Sequence, residues 1–380
     1  MRFRTIIRVI CLSAIVFTAC SSDRDGSSEI TIGSFSEKSN TSFFDEVYSG
    51  FRVIPLDLGE NLLGMNALVR VGEADGGFLL TDQQAGAIYL LASDGSLVTR
   101  ISKVGRGPGE YNELQICKYD DGSLLTLADY DHVIRYSKAG ELVEEFSLDK
   151  YFADIFPLGG KEYALFLDRS EIEADTEDVI YITDASFNKT RSFLPMKFQM
   201  WNYGSHLSGV SGTDGRFFCA QQTSTDMYEC DRDTVLVTYH FDLHGKEFPK
   251  KMVESEDYEE ILDILMSTHE MYSIESAFRN DECLFFNVAL ILDGDDSGIG
   301  QWLMDRDGSN PRIEYTDLAS DRFQFLGPPK MLTAGNEVVY LCDASFYDSV
   351  KDSFPGLAQY EGLFAGGKCE IFLLFCKIGE

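Results

Sequence analysis

Two stretches of this chain carry the same pattern 45 residues apart, and that repetition restricts the fold more than any other feature. Leu79 to Val98 (LLTDQQAGAIYLLASDGSLV) superimposes on Leu124 to Val143 (LLTLADYDHVIRYSKAGELV), with Leu79 on Leu124, Ile88 on Val133, Gly95 on Gly140, and Leu97-Val98 on Leu142-Val143. Each copy is a short apolar strand, a polar turn, a second strand, then a glycine turn into a third. Asp94-Gly95 is a strong hairpin signal, because glycine accepts the positive φ that a tight turn demands. A period of roughly 40–50 residues with several strands per unit is the mark of a β-propeller.

Weaker copies of the cue follow: IYITDASFNKTRSF turns at Asn188, VLVTYHFDLHGKEF at Gly245, QWLMDRDGSNPRI at Gly308 and EIFLLFCKIGE at Gly379. Turns at 95, 140, 188, 245, 308 and 379 make six units, spaced 45, 48, 57, 63 and 71 residues apart. The expectation is an all-β, six-bladed propeller over 48–380, with seven blades as the alternative. An aromatic share of 13% suits strands. The lengthening spacing demands insertions. One is visible at 254–272 (ESEDYEEILDILMSTHEMY), where Tyr258, Ile261, Leu262, Leu265 and Tyr272 follow helical spacing behind an acidic first turn. It reads as a helix capping a blade connection, the sharper alternative being a lid or partner-docking element.

The last unit stops at its glycine turn and lacks an outer strand, whereas Phe51-Arg52-Val53-Ile54-Pro55-Leu56 has no local partner. Pairing the two closes the ring and removes a long exposed edge. The proline is tolerable there, since an outer strand need not donate every hydrogen bond.

The first nineteen residues read as an address. Arg2, Arg4 and Arg8 precede an apolar run from Val9 to Ala19, too short to span a bilayer, which takes ~20 residues, and suited to a signal peptide. Phe17-Thr18-Ala19-Cys20 resembles a bacterial lipobox, which makes Cys20 the expected site of lipid attachment. Residues 20–47, rich in Ser with Asp, Glu and Gly, read as a flexible tether. Ser21-Ser22-Asp23-Arg24-Asp25 faintly resembles a surface-export signal of Bacteroidetes lipoproteins, interrupted by Arg24, so periplasmic and surface faces both stay open. Seven further cysteines, Cys117, Cys219, Cys230, Cys283, Cys342, Cys369 and Cys376, form neither a disulfide framework nor a CxxC zinc pattern. Most sit in apolar runs as small hydrophobes; one bridge, Cys219–Cys230, is the pairing to test.

The formal charge of −31 excludes nucleic acid as a partner, whose phosphates demand a basic surface. It equally disfavours docking on anionic lipid head groups. It favours a neutral or cationic ligand.

Gly105-Arg106-Gly107-Pro108-Gly109-Glu110-Tyr111, followed by DDGSLLTLADYDHVIRYSKAGELVEEF (121–147), resembles an NHL repeat. More closely, GRGPGEY, Asp233-Thr234-Val235 and Asn280-Asp281-Glu282 resemble the six-bladed β-propeller lipoproteins of Bacteroides and relatives. At 131–135, Asp-His-Val-Ile-Arg departs from the NHL order Asn-His-Arg, which weakens any NHL-type ligand inference. The resemblance implies the fold and an envelope location, lipid-anchored to the outer membrane, and no general activity. NHL-like propellers include enzymes with a divalent ion in the central channel, so it also implies the alternative of a metal-assisted hydrolase or lyase.

Candidate chemistry is sparse. GRGPGEY lacks the Lys and Ser/Thr of a phosphate loop, and Glu110 would repel phosphate, so it reads as a connection between blades. His240 and His244 straddle a glycine hairpin without a HExxH glutamate. Asp293 to Gly298 (DGDDSG) resembles the start of a calcium loop, but Met304 stands where its bidentate Glu belongs. No GxSxG elbow is present. No cofactor is therefore expected; if the channel holds an ion, an all-acidic chain with few histidines favours calcium over zinc. The expectation is a non-catalytic binding or scaffold propeller, a monomeric domain touching the membrane only through its lipid, with a glycan, peptide or envelope protein as ligand. An aromatic platform such as Trp201-Asn202-Tyr203 would favour binding; convergent Asp, Glu or Asn in the channel would favour the enzyme. Fold alone does not choose between them.

Overall fold

The middle strands of each unit are nearly unbroken apolar runs, such as FLL in Gly77–Asp82, IYLL in Ala87–Ala92 and ALFL in Glu162–Leu167. A strand patterned in this way must be covered on both faces, and here each is sandwiched between the neighbouring units. The computed structural model describes residues 27–32, 42–61, 63–64, 68–168, 171, 177–196, 207–213, 215–221, 225–242, 251, 255, 257–267, 271–291, 297–317, 319–364 and 369–379.

Six antiparallel sheets form the blades of a β-propeller. From the axis outward, blade 1 is Val69–Ala74, Gly77–Asp82, Ala87–Ala92 and Leu97–Ile101; blade 2 is Leu114–Asp120, Ser123–Ala128, His132–Ser137 and Leu142–Ser147. Blade 3 is Phe152–Gly159, Glu162–Leu167, Glu177–Thr183 and Lys189–Met196; blade 4 is Leu207–Thr213, Arg216–Gln221, Asp226–Asp231 and Val235–Phe241. Blade 5 is Met271–Arg279, Cys283–Ile291, Ser297–Asp305 and Arg312–Asp317; blade 6 is Pro329–Leu332, Glu337–Asp343, Ile371–Ile378 and, from the far end of the chain, Tyr48–Pro55. The first strand of each blade touches the first strand of the next, from blade 1 round to blade 6 and back.

Tyr48–Pro55 closes the ring as the sequence predicts, pairing antiparallel with Ile371–Ile378 from Tyr48↔Ile378 to Pro55↔Phe372. Ile54 is buried in the layer between blades 6 and 1, and the Arg52 guanidinium lies 3.7 Å from the Phe375 ring centroid. Gly95, at the outer hairpin of blade 1, abuts this strand. Its φ is +85° and an added Cβ would lie 1.9 Å from the Pro55 carbonyl oxygen, so no other residue fits.

The hairpins at Gly95, Asn188 and Gly308, and that at Gly140, each join a third strand to a fourth. Two expected turns differ. The equivalent turn of blade 4 is Asp231–Thr234, held by Asp231 N–H on the Thr234 carbonyl; Gly245 lies outside the described residues. Gly379 is no hairpin, because its N–H reaches the Val47 carbonyl at the start of the closing strand. The superposition of Leu79 on Leu124 also shifts. Both side chains enter the one layer between blades 1 and 2, so Leu79 faces forward and Leu124 backward. The turn 83–86 is one residue longer than 129–131, and a one-residue slip in a strand exchanges its faces. The second strands therefore match at 46 and the third strands at 45.

The tether expected over 20–47 is corrected in two places. Ser28–Ile32 joins blade 4 as a fifth strand, parallel to Val235–Phe241, with Ile32 buried. This covers an edge that would otherwise stay open. Phe43–Val47 is a single helical turn whose Phe43, Phe44 and Val47 are buried between blades 5 and 6. A Ser-rich composition conceals these few apolar anchors. The expected insertion contains the helix Tyr258–Ser267, between blades 4 and 5, with Ile261 buried. A second insertion carries no helical period in sequence: short turns from Ala344 to Phe364 in blade 6 bury Tyr347, Val350, Phe354, Leu357 and Phe364. It accounts for the longest spacing.

All seven described cysteines are buried free thiols. Cys219 pairs with Tyr228 and Cys230 with Phe217, so the expected bridge partners sit diagonally rather than opposite. Their thiols are nevertheless within side-chain hydrogen-bond range of each other, unbridged, so the pairing stays open to test.

Substituting Phe44→Ala separates an anchor from a tether. Phe44 packs edge-on against Phe354 at 4.5 Å and stacks on Phe51 at 5.5 Å, so equilibrium denaturation should show a loss of about 3–5 kcal/mol. A tether residue would cost nothing.

Candidate functional site

A four-stranded meander sends its first and third turns to one end and its second turn and onward connection to the other. The ring thus has a face of tight hairpins and a face of longer connections, where the insertions gather. Among the described residues, the connection face over blades 2 and 3 carries an organised group of polar and aromatic side chains.

Its centre is the three-residue turn Asp129-Tyr130-Asp131. Asp129 and Tyr130 both adopt left-handed backbone, at φ 49° and 63°, which costs a non-glycine residue about 1–2 kcal/mol. Tertiary bonds hold them there. The Asp129 carboxylate accepts the backbone N–H groups of Asn112 (3.1 Å) and Glu113 (2.8 Å). The Tyr130 N–H donates to Gln115 Oε1 at 3.0 Å, and the Tyr130 carbonyl accepts the Phe152 N–H at 2.8 Å. The strained turn is thereby fastened to the innermost strands of blades 2 and 3.

The Tyr130 hydroxyl donates to Glu113 Oε1 at 3.4 Å, and its ring stands edge-on to Tyr151, centroids 6.4 Å apart. Tyr151 lies in the connection to blade 3 and is 47% exposed. Its carbonyl accepts the N–H of Asp168, which is buried. Burial, then the Glu113 and Asp168 charges, push the Tyr130 phenol above its ordinary range, so it remains a neutral donor. Lys150 is tied to Glu177 at 2.6 Å. The result is a two-ring platform edged by carboxylates. Such a surface stacks on sugar rings or aliphatic and cationic groups and accepts hydrogen bonds from hydroxyls or ammonium. Backbone strain placed there is a recognised pointer to function.

Near the axis, Lys118 of blade 2 meets Asp154 of blade 3 at 3.7 Å. Lys330 of blade 6 faces Arg70 of blade 1; burial, then that like charge, lowers the ammonium to about 7.

GRGPGEY joins blades 1 and 2, as expected. Glu110 folds back to accept the Gly107 N–H at 2.7 Å, and Tyr136 donates to the Gly109 carbonyl at 2.7 Å. His240 is exposed and bonds Asp226 at 2.8 Å; His244 lies outside the described residues, as do Trp201-Asn202-Tyr203, Asp293–Asp296 and Cys20. Among the described residues, no three His, Cys, Asp or Glu side chains converge as a metal site, and no helix is long and apolar enough to cross a membrane. Tyr130 and Tyr151 escape a sequence reading. Their only signal is an aromatic between two acids in one turn of the repeat.

The fold and this platform define a β-propeller with an aromatic, acid-edged connection face. The chain belongs to the DUF4934 family, a domain of unknown function, whose model matches residues 27–359. Its structure is similar to the crystal structure of a protein predicted to be exported from Bacteroides fragilis NCTC 9343: TM-score 0.70, 16% identity, covering 93% of this chain and 100% of that one. It is also similar to a DUF4221-family protein of Bacteroides vulgatus ATCC 8482: TM-score 0.55, 10% identity, covering 88% and 98%. No curated protein matches in sequence.

The Lys330 shift has a readable sign. Lowered to about 7 from an ordinary 10.5, the folded chain releases a proton that the unfolded chain keeps. Stability should rise with pH between those values. Lys330→Met should flatten that rise in denaturation curves measured from pH 6 to 10, and an unchanged slope would reject the assignment.

Proposed function

We propose that this protein is a lipid-anchored, non-catalytic binding propeller of the cell envelope, holding a neutral or cationic glycan or peptide on its connection face. The observation that carries this reading is the Tyr130–Tyr151 platform with Glu113, Asp129 and Asp168 around it. Two rings and several fixed acceptors are binding chemistry.

Envelope placement rests on the basic-apolar leader, on Cys20, and on a fold relative predicted to be exported. The strand at Ser28 adds a geometric consequence. With a lipid on Cys20, residues 21–27 can reach at most about 25 Å when extended. The outer rim of blade 4 then stays near the bilayer, and the connection face is presented sideways to it rather than buried against it.

The test is a screen of glycan and peptide arrays with residues 21–380, followed by titration of the best ligand. Tyr151→Ala should weaken it about tenfold, ~1.4 kcal/mol, with folding intact. Ligands that bind the variant as well as the parent would rule out this face. In cells, Cys20→Ser should abolish incorporation of labelled palmitate; continued labelling would remove the anchor from the proposal.

A further inference from the structure

The opposite, hairpin face gathers three arginines around one buried carboxylate between blades 4 and 5. Glu229, on the third strand of blade 4, has a side chain only 1% exposed. Its Oε1 takes Arg279 Nη2 and Arg306 Nη2 at 3.0 Å each, and Arg216 Nη1 stands 3.9 Å away. Oε2 takes the Tyr239 hydroxyl at 3.4 Å and Arg306 Nη2 at 3.3 Å. Arg216 opens the second strand of blade 4, Arg279 closes the first strand of blade 5, and Arg306 lies in the outer hairpin of blade 5.

Among the described residues these guanidinium groups form ion pairs with no other carboxylate. The neighbouring hairpin acids are turned onto their own backbones and side chains: Asp231 accepts Asp233 and Thr234 N–H groups, Asp305 binds Ser309 and Asn310, and Asp307 binds Ser309. Three guanidinium groups thus share one buried carboxylate, while Asp231, Asp305 and Asp307 keep their charges on the surrounding hairpins. Arg279 is nine-tenths buried, and its Nε–H has no hydrogen-bond partner. Leaving a buried charged donor unmade costs free energy that a ligand oxygen would recover. Arg216 and Arg306, at 58% and 39% exposure, flank the entrance with donors to spare.

We infer that this cluster between blades 4 and 5 is a binding site for a phosphoryl group. A phosphate monoester carries about −1.5 to −2 at pH 7 and three acceptor oxygens, and guanidinium forks suit those oxygens better than ammonium does. Glu229 lies beneath as the internal counter-charge that holds the three arginines together in the unliganded protein.

Thermal unfolding of residues 21–380 with inorganic phosphate, against chloride at equal ionic strength, tests this. Phosphate should raise the midpoint saturably. Arg216→Ala/Arg306→Ala, which removes only the exposed partners, should weaken the phosphate response at least tenfold. Arg52→Ala, at the distant closing strand, should leave it unchanged. Glu229→Gln, where it folds, should tighten phosphate by removing the competing charge. Glycerol 3-phosphate and phosphatidic-acid vesicles then distinguish the source: competition by the first without vesicle retention assigns a soluble ester, while arginine-dependent vesicle retention assigns a lipid head group. Equal responses to phosphate and chloride, an unaltered phosphate response in the double variant, or citrate binding as tightly as phosphate would overturn the site.

Discussion

The ladder between Tyr48–Pro55 and Ile371–Ile378 is the interaction on which the rest depends. Each other blade has a meander of four strands that follow one another in the chain, to which blade 4 adds Ser28–Ile32 as a fifth. Blade 6 takes one of its four strands from the other end of the domain, and it completes the circle of first strands. Were that seam open, the layer holding Ile54, Leu80, Tyr89, Leu341 and Phe375 would lose one wall, and two sheet edges would be free to pair with other chains. The seam also fixes its neighbour, since the Asp57 N–H donates to the Gly95 carbonyl across blade 1.

The N-terminal segment extends that closure into a belt. Ser28–Ile32 lies on blade 4, Phe43–Val47 fills the gap between blades 5 and 6, and the closing strand follows at once. Phe43 donates its N–H to Glu314, a buried carboxylate of blade 5 that also holds Arg322. Burial raises the Glu314 acid despite that arginine. A tail of few apolar residues thus spans three blades by placing each one in a gap between sheets.

The two ends of the disk differ in character for a topological reason. Hairpins are short, so charged groups brought there by adjacent blades meet at close range, as Glu229 meets arginines from blades 4 and 5. Connections are longer and admit strained turns and insertions, as at Tyr130. One face therefore gathers three arginines around a buried carboxylate, while the other presents rings edged by carboxylates.

Blade number, most hairpins, the closing strand and the helix near 258–267 were legible in the sequence because each is encoded locally, by a run of apolar residues, a glycine or asparagine turn, or a helical period. The register of Leu79 against Leu124, the anchors Ile32, Phe43 and Phe44, and the turns of 344–364 were not, because one residue of turn length or a few buried rings decide them without any period. The platform joins Tyr130 to Tyr151, and the arginine cluster gathers positions 216, 229, 279 and 306. Only the ring brings these residues together, since contact between neighbouring blades is set by how sheets pack and not by distance along the chain.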